Sequence, residues 1–173
     1  MTRGRRPRAG VMISSVQESL KRDYEYLLWL LARRDYPEKK LREKLKAREV
    51  SVADSDTLLE RLKEAGYFSE ARFRRARIRQ LTRRGDGPRA LKAKLKVETG
   101  NEVTTSEIED VYQELGTSDL EVLAAYLQKE FDKLSRSGRH DDKTVRQKLT
   151  ERALRKGFGY DQAKRALQQI GAA

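Results

Sequence analysis

"RALKAKLK", residues 89–96, decides the fold, because similar stretches precede and follow it: KKLREKLK at 39–46 and KTVRQKLT at 143–150. Each stretch has an apolar residue, then a leucine four residues later, with lysine directly before that leucine. The offsets between the stretches are 50 and 54 residues. Leucines four apart are typical of any amphipathic helix, so this pattern alone does not establish an internal repeat, and a second recurring pattern is needed.

The second pattern closes each unit with a helix and a glycine. Its members are Leu58, Leu62, Ala65 and Gly66, then Ile108, Tyr112, Leu115 and Gly116, then Ala163, Leu167, Ile170 and Gly171. The offsets are 50 and 55 residues, close to those of the first pattern. Chance leucine spacing does not readily repeat one offset in two helices, so we predict internal repeats of about fifty residues.

The predicted fold class is all-α, with three tandem three-helix repeats that form an elongated, curved helical array. No segment alternates apolar and polar residues for long enough to indicate a strand. The predicted divisions are a disordered basic arm at 1–16, repeat 1 at 17–68, repeat 2 at 69–117 and repeat 3 at 118–173.

Helix limits follow from capping residues and breakers. We expect the first two helices to begin near Gln17 and Pro37. Asp54 or Ser55 should cap the third helix, and Ala65 should lie on its buried face. The fourth should end near Arg84. The fifth helix should start at Pro88 and the sixth at Thr104 or Thr105. The seventh should span 118–134. The eighth should end at Gly157 and carry Leu154 on its apolar face.

Charge is unevenly distributed along the 173 residues. The chain has 39 Lys and Arg against 27 Asp and Glu, a net charge of +12. Residues 71–96 hold eleven basic residues and one acid, whereas residues 97–121 hold eight acids and no basic residue. Such an excess of positive charge favours a polyanionic partner, with nucleic acid the commonest and an anionic membrane second.

The basic block contains like charges one helical turn apart, such as Arg75 and Arg79, which destabilise an isolated helix. A charge run can be only a solvated face, but helix stability alone does not favour these pairs. Arginine is also the better bidentate phosphate partner. The candidate contacts are Arg74, Arg75, Arg79, Arg83, Arg84, Arg89, Lys92 and Lys94.

Two features of the middle repeat leave alternatives open. Arg77 falls in the apolar stripe with Phe73 and Leu81, so its guanidinium either reaches the rim or pairs with a buried acid. The acidic segment 97–121 either repels a nucleic-acid backbone and steers the basic face, or binds a basic patch on a protein.

Catalytic and membrane signals are missing from the sequence. It has no cysteine, one histidine (His140, in a loop-like stretch), no phosphate-binding loop and no metalloprotease motif, so we expect neither an enzyme nor a metal site of the usual cysteine or histidine kind. No apolar run approaches a membrane span. The basic start is not followed by a long apolar region, so we expect no signal peptide and a cytoplasmic protein.

Three motifs carry a family resemblance over about residues 25–170: AGYFSEARF (65–73), RRGDGPRALKAKL (83–95) and ERALRKGFGYDQAKRAL (151–167). In their order and spacing they resemble the RecX family, regulators of the bacterial recombinase RecA. The resemblance implies an array of three-helix repeats that lies in the groove of RecA filaments on single-stranded DNA. It also implies inhibition of ATP hydrolysis, strand exchange and co-protease activity, and hence modulation of recombination, DNA repair and the SOS response.

The expected partners are the RecA filament and single-stranded DNA, with double-stranded DNA as a further partner and no membrane. We expect a monomer without a cofactor, with the eight basic residues above as its central contacts. The alternative is a general helical DNA- or RNA-binding protein, such as a helix-turn-helix-like regulator. A third reading, an enzyme acting on nucleic acid, needs a metal site or nucleophile that the sequence does not show.

Overall fold

The computed structural model describes residues 9–137 and 141–172, and within these ranges every regular element is an α-helix. This confirms the predicted all-α class. None of these helices is long and apolar enough to cross a bilayer. The helices are α1 (Ala9–Arg33), α2 (Glu38–Lys46), α3 (Val52–Glu64), α4 (Glu70–Thr82), α5 (Pro88–Thr99), α6 (Thr105–Glu114), α7 (Asp119–Ser137), α8 (Asp142–Arg155) and α9 (Tyr160–Gln169).

The first helix is longer than the sequence pattern indicates. It begins at Ala9, so residues 9–16 are helical and the predicted disordered arm is wrong for this part. The stretch AGVMISSV contains one strong helix breaker, Gly10, whose cost of about 1 kcal/mol a long helix can absorb. Residues 1–8 of the predicted arm lie outside the described residues, as does His140.

The chain divides into two compact units, Met1–Phe73 and Arg74–Ala173. The first unit has one core, built from the apolar faces of α1, α2 and α3. Burial of these side chains is the main stabilising term for such thin layers. The buried members are Leu27, Leu30, Leu41, Leu45, Leu58, Leu59, Leu62 and Phe68.

The start of α3 corrects a predicted cap. The Ser51 hydroxyl accepts a hydrogen bond from the Asp54 N–H (3.1 Å), so the helix begins at Val52 and not at Asp54 or Ser55. Ser55 is buried inside the helix instead. At the other end Ala65 is the exposed C-cap and does not belong to the core.

The second unit contains two cores, one for α4, α5 and α6 and one for α7, α8 and α9. The first is built from Ile78, Leu81, Leu91, Leu95, Val103, Ile108, Val111 and Tyr112. The second is built from Val122, Leu123, Ala124, Leu127, Leu134, Val145, Leu149, Ala153, Phe158, Ala163, Ala166 and Leu167. Three-helix groups with separate cores are what a stacked helical array requires.

The helix limits in this unit agree with prediction to within a turn, with one error in the core. Leu154 is 46% exposed, and Ala153 is fully buried in its place. Ala153 lies four residues after buried Leu149, on the same helical face, whereas Leu154 lies one residue further round. The helix α4 ends at Thr82 and not at Arg84, while α7 continues to Ser137.

Both sequence patterns have a structural meaning. Leu45, Leu95 and Leu149, which follow the recurring lysines, are all fully buried. The closing glycines Gly66, Gly116 and Gly171 have φ of 73°, 60° and 69°. This left-handed conformation ends a helix at a position where a side chain is strained, which explains why glycine closes each group.

Candidate nucleic-acid interface

Half of the eight predicted contacts are already paired with carboxylates. The Arg74 guanidinium lies 2.8 Å from Glu107, and the Lys94 ammonium lies 2.6 Å from Asp86. Arg75 and Arg79 share Glu114, at 2.6 and 3.1 Å. These four cations are therefore partly neutralised within the chain.

The acidic segment supplies most of these partners, a role that the sequence alone did not indicate. Glu107 both completes the capping box of α6 with Thr104 and holds Arg74. Glu114, one end of α6, bridges two arginines of α4. The like charges along α4 are thus offset by tertiary ion pairs with α6.

Arg77 also resolves into an ion pair. Its guanidinium meets the Glu98 carboxylate of α5 through two nitrogens, at 2.8 Å for Nε to Oε2 and 2.5 Å for Nη2 to Oε1. The hydrogen bonds that Arg77 donates to Glu98 raise the pKa of Arg77, which favours its positively charged form. Of the two alternatives, Arg77 therefore pairs with an acid, one that is partly buried.

Of the remaining predicted contacts, Arg83 and Arg84 lie in the loop between α4 and α5, and Arg89 and Lys92 lie in the first two turns of α5. Arg83, Arg84 and Arg89 are exposed, and no carboxylate in the described ranges lies within ion-pair distance of them. Lys92 donates to the Thr105 hydroxyl at 2.6 Å. Three arginines with unpaired guanidinium groups are therefore available to an external anion.

The loop that carries Arg83 and Arg84 is fixed to the third helical group. The Gly87 N–H donates to the Lys156 carbonyl (2.7 Å), and the Lys156 ammonium donates back to the Arg84 carbonyl (2.8 Å). Asp86, 2% exposed, accepts from Lys94 with one carboxylate oxygen and from Lys156 with the other, at 2.6 and 3.0 Å. A buried carboxylate requires such partners.

Glycines make this close approach possible. A Cβ placed on Gly87 would lie 2.8 Å from the Phe158 ring, and one on Gly157 would lie 2.4 Å from the Ala90 nitrogen. Gly85 has a φ of +76° and faces Tyr126 at a similar distance. The motif Gly-Asp-Gly-Pro is therefore a docking loop as well as the helix connector that the sequence indicated.

Two basic clefts lie in this second unit, lined by residues of its middle and third helical groups. Cleft A, about 430 Å³, is lined by the cations Arg83, Arg84, Lys129 and Lys133 and the acids Glu121 and Glu130. Cleft B, about 370 Å³, is lined by the cations Lys94, Arg152, Arg155 and Lys156 and the acids Asp86 and Glu130. Tyr126 lines both clefts, so we treat their eight cations as one inter-repeat basic cluster.

Within the inter-repeat basic cluster, four cations have carboxylate partners. Glu130 holds Lys133 at 2.6 Å and Arg152 at 2.5 Å, and Asp86 holds the two lysines described above. The other four have no carboxylate within ion-pair distance in the part of the chain that the structure describes; they are Arg83, Arg84, Lys129 and Arg155. Such unpaired cations beside a concave surface suit phosphate groups.

Sequence reasoning missed the five members of this cluster that lie on α7, on α8 or at the C-cap of α8. Lys129, Lys133, Arg152, Arg155 and Lys156 stand in segments of ordinary composition, without a charge block to mark them. The available signal was the pair of glycine motifs, because Gly87 and Gly157 pack against one another's helical groups. Among the described residues no three His, Asp or Glu side chains cluster in a way that could hold a metal ion.

Comparison with known proteins identifies a family for this chain. Residues 24–62 match the family model described as RecX, first three-helix domain. A "Regulatory protein RecX" of Chromohalobacter salexigens is 32% identical over 154 residues, which cover 88% of this chain and 94% of that protein. The protein of the same name from Actinobacillus pleuropneumoniae serotype 5b is 40% identical over 72 residues, 42% of this chain and only 48% of that protein's length.

A solved structure supports the fold. The crystal structure of RecX from Lactobacillus salivarius superposes with a TM-score of 0.73 at 17% identity, covering 91% of this chain and 99% of that one. At this level of identity the likeness concerns the arrangement of helices. It agrees with an array of helical repeats.

Proposed function

The chain belongs to the RecX family, and from this premise we propose that it is a non-enzymatic regulator that binds RecA filaments on single-stranded DNA. In this proposal it inhibits the filament's ATP hydrolysis, strand exchange and co-protease activity. It thereby modulates recombination, DNA repair and the SOS response, acting as a monomer in the cytoplasm without a cofactor.

The observation that carries the proposal is the inter-repeat basic cluster. Its unpaired cations, among them Arg83, Arg84, Lys129 and Arg155, come from both helical groups of the second unit. A filament of protein on DNA presents phosphates and acidic side chains along a groove, and cations on successive repeats can contact such a surface at several points. Binding of this kind weakens steeply as salt rises.

Ion pairing divides the eight predicted contacts into two classes. Arg83, Arg84 and Arg89 are free to make primary contacts. Arg74, Arg75, Arg79 and Lys94 already neutralise acids of this chain, so they contribute mainly by holding α4, α5 and α6 together. Lys92, bound only to a hydroxyl, belongs with the first class.

The test is RecA ATP hydrolysis on single-stranded DNA, with this protein added well below the RecA concentration at fixed salt. A helical basic protein of equal net charge is the control. We expect strong inhibition by this chain and none by the control at the same ratio. Inhibition only near saturation of the DNA, equal to that of the control, would replace the proposal with general nucleic-acid binding.

A further inference from the structure

A second basic groove lies between α8 and α9 of the third helical group, apart from the inter-repeat basic cluster. It encloses about 260 Å³. No acidic residue lines it; the lining residues are Arg146, Thr150, Tyr160, Lys164, Leu167 and Gln168. A groove with two cations and no carboxylate favours an anionic ligand.

The repeat allows the same position to be compared three times. By the offsets of the first pattern, Arg146 corresponds to Lys92 and to Arg42. Arg42 is neutralised by Glu38 at 2.7 Å and Asp56 at 2.5 Å. Lys92 has only the Thr105 hydroxyl, and Arg146 has no carboxylate within ion-pair distance in the described ranges. The cation is therefore retained while its internal partner is lost.

Two other positions of the third repeat also differ from the middle repeat in a way that favours an anionic ligand. By the offset of the second pattern, Lys164 stands where the middle repeat has Glu109, so the charge at this position is reversed. Tyr160 stands where the middle repeat has Thr105, and its side chain is 66% exposed. A large aromatic ring left in solvent next to two free cations has no role in the core of this group.

We propose that the groove between α8 and α9 binds one nucleotide of a single strand. Arg146 and Lys164 contact its phosphate, and the base stacks on the ring of Tyr160. The Thr150 hydroxyl donates to the Arg146 carbonyl at 2.9 Å and can still accept a hydrogen bond from base or sugar, and the Gln168 amide at the same groove can both donate and accept. An acidic peptide would use the cations and leave the ring idle, whereas a nucleotide uses both.

This inference deepens the proposed function and rests on it for the identity of the strand as DNA. The groove is tested by DNA binding in the absence of RecA, so this inference and the proposed function can fail independently. The assay is the affinity of the full chain for fluorescein-labelled oligo(dT), followed by anisotropy across a salt series. Circular dichroism of each variant verifies that the helices are intact.

Two variants remove one function each. Tyr160→Ala should weaken binding by about 5-fold or more, the loss that corresponds to one base stack, while Tyr160→Phe should bind like the original chain. Arg146→Gln with Lys164→Gln should weaken binding and lower the slope of log affinity against log salt by about 1. The matched control is Lys143→Gln with Arg165→Gln, two exposed cations of the same helices outside the groove.

A photocross-link locates the contact. Oligonucleotides with 5-iodouracil should cross-link to Tyr160, identified by mass spectrometry of the digested complex. Unchanged affinity in Tyr160→Ala, or equal losses in the groove variant and its control, would overturn the inference. If the variants bind oligo(dT) normally while the original chain inhibits RecA, only this inference falls; if they lose binding while the original chain fails to inhibit RecA, only the proposed function falls.

Discussion

Asp86 and Lys156 form an ion pair of 3.0 Å that joins the loop after α4 to the C-cap of α8. Asp86 is buried, and its second oxygen holds Lys94 at 2.6 Å. The pair therefore lies between the unpaired arginines of the loop and the cations of α8. It keeps two positively charged surfaces together that would otherwise repel each other.

Asp86→Asn should destabilise the chain by about 1–3 kcal/mol, because it removes the charge from two hydrogen-bonded ion pairs at a buried site. The partners are themselves partly exposed, so the loss stays below that of a fully buried pair. Urea unfolding followed by circular dichroism measures it. Asp110→Asn, an exposed acid of α6, is the control and should stay within about 0.5 kcal/mol. Equal, small effects of both variants would contradict a structural role for Asp86.

Gly87→Ala should cost about 1–3 kcal/mol through overpacking, because its Cβ would lie 2.8 Å from the Phe158 ring. The backbone of Gly87 is extended, with φ of −88°, so conformation alone does not exclude alanine. Gly159 is a matched control: it too precedes a helix, with φ of −85°, and its nearest neighbour would be a flexible amide at 3.5 Å. Thermal unfolding should therefore separate Gly87→Ala from Gly159→Ala. Combining Gly87→Ala with Phe158→Leu should recover part of the loss, and no recovery would argue against the ring contact.

Glu114→Gln should raise the affinity for single-stranded DNA about 2- to 5-fold, because it releases Arg75 and Arg79 from their shared partner. Glu109→Gln changes net charge equally on the same helix without releasing an arginine. Anisotropy titrations of both variants with oligo(dT) at low salt make the comparison. A gain shared by both would mean that net charge, and not the freed arginines, determines affinity.

The buried carboxyl group of Asp119 makes the free energy of unfolding depend on pH. Burial raises the pKa of Asp119 above its ordinary value, although a hydrogen bond from Gln162 partly opposes this. The folded chain thus holds this proton more tightly than the unfolded chain, so the contribution of Asp119 to stability falls as pH rises from about 4 through the raised pKa. The variant Asp119→Asn has no carboxyl group at this position and so lacks this pH-dependent contribution to stability. The free energy of unfolding of the variant, relative to the original chain, should therefore increase between pH 4 and pH 7; a constant or decreasing difference would contradict the assignment.

The fold was accessible from sequence because its determinants are local and recur. Buried leucines one turn apart and a closing glycine need no knowledge of tertiary structure to be recognised. The errors arose where local rules competed: Ser51 capped α3 before Asp54 could, and Ala153 occupied the core position assigned to Leu154.

Only part of the candidate site could be predicted from the sequence, because ion pairing depends on which helices contact each other in the fold. The block of positive charge was visible at 71–96, but the sequence did not show that Glu107 and Glu114 lie beside it. Nor did it show that Lys156 reaches the loop at Asp86 and brings the cations of α8 with it. Composition located the charge, and only packing separates paired cations from free ones.

In the proposed function, the unpaired arginines Arg83 and Arg84 of the docking loop are required for inhibition of the RecA filament. The direct measurement is RecA ATP hydrolysis on single-stranded DNA with the variant Arg83→Glu/Arg84→Glu, beside Arg22→Glu/Lys46→Glu, which reverses two exposed cations of the first unit. Circular dichroism should show equal helix content in both. We predict that the first variant no longer inhibits at ratios where the original chain and the second variant do. Undiminished inhibition by Arg83→Glu/Arg84→Glu would contradict the claim.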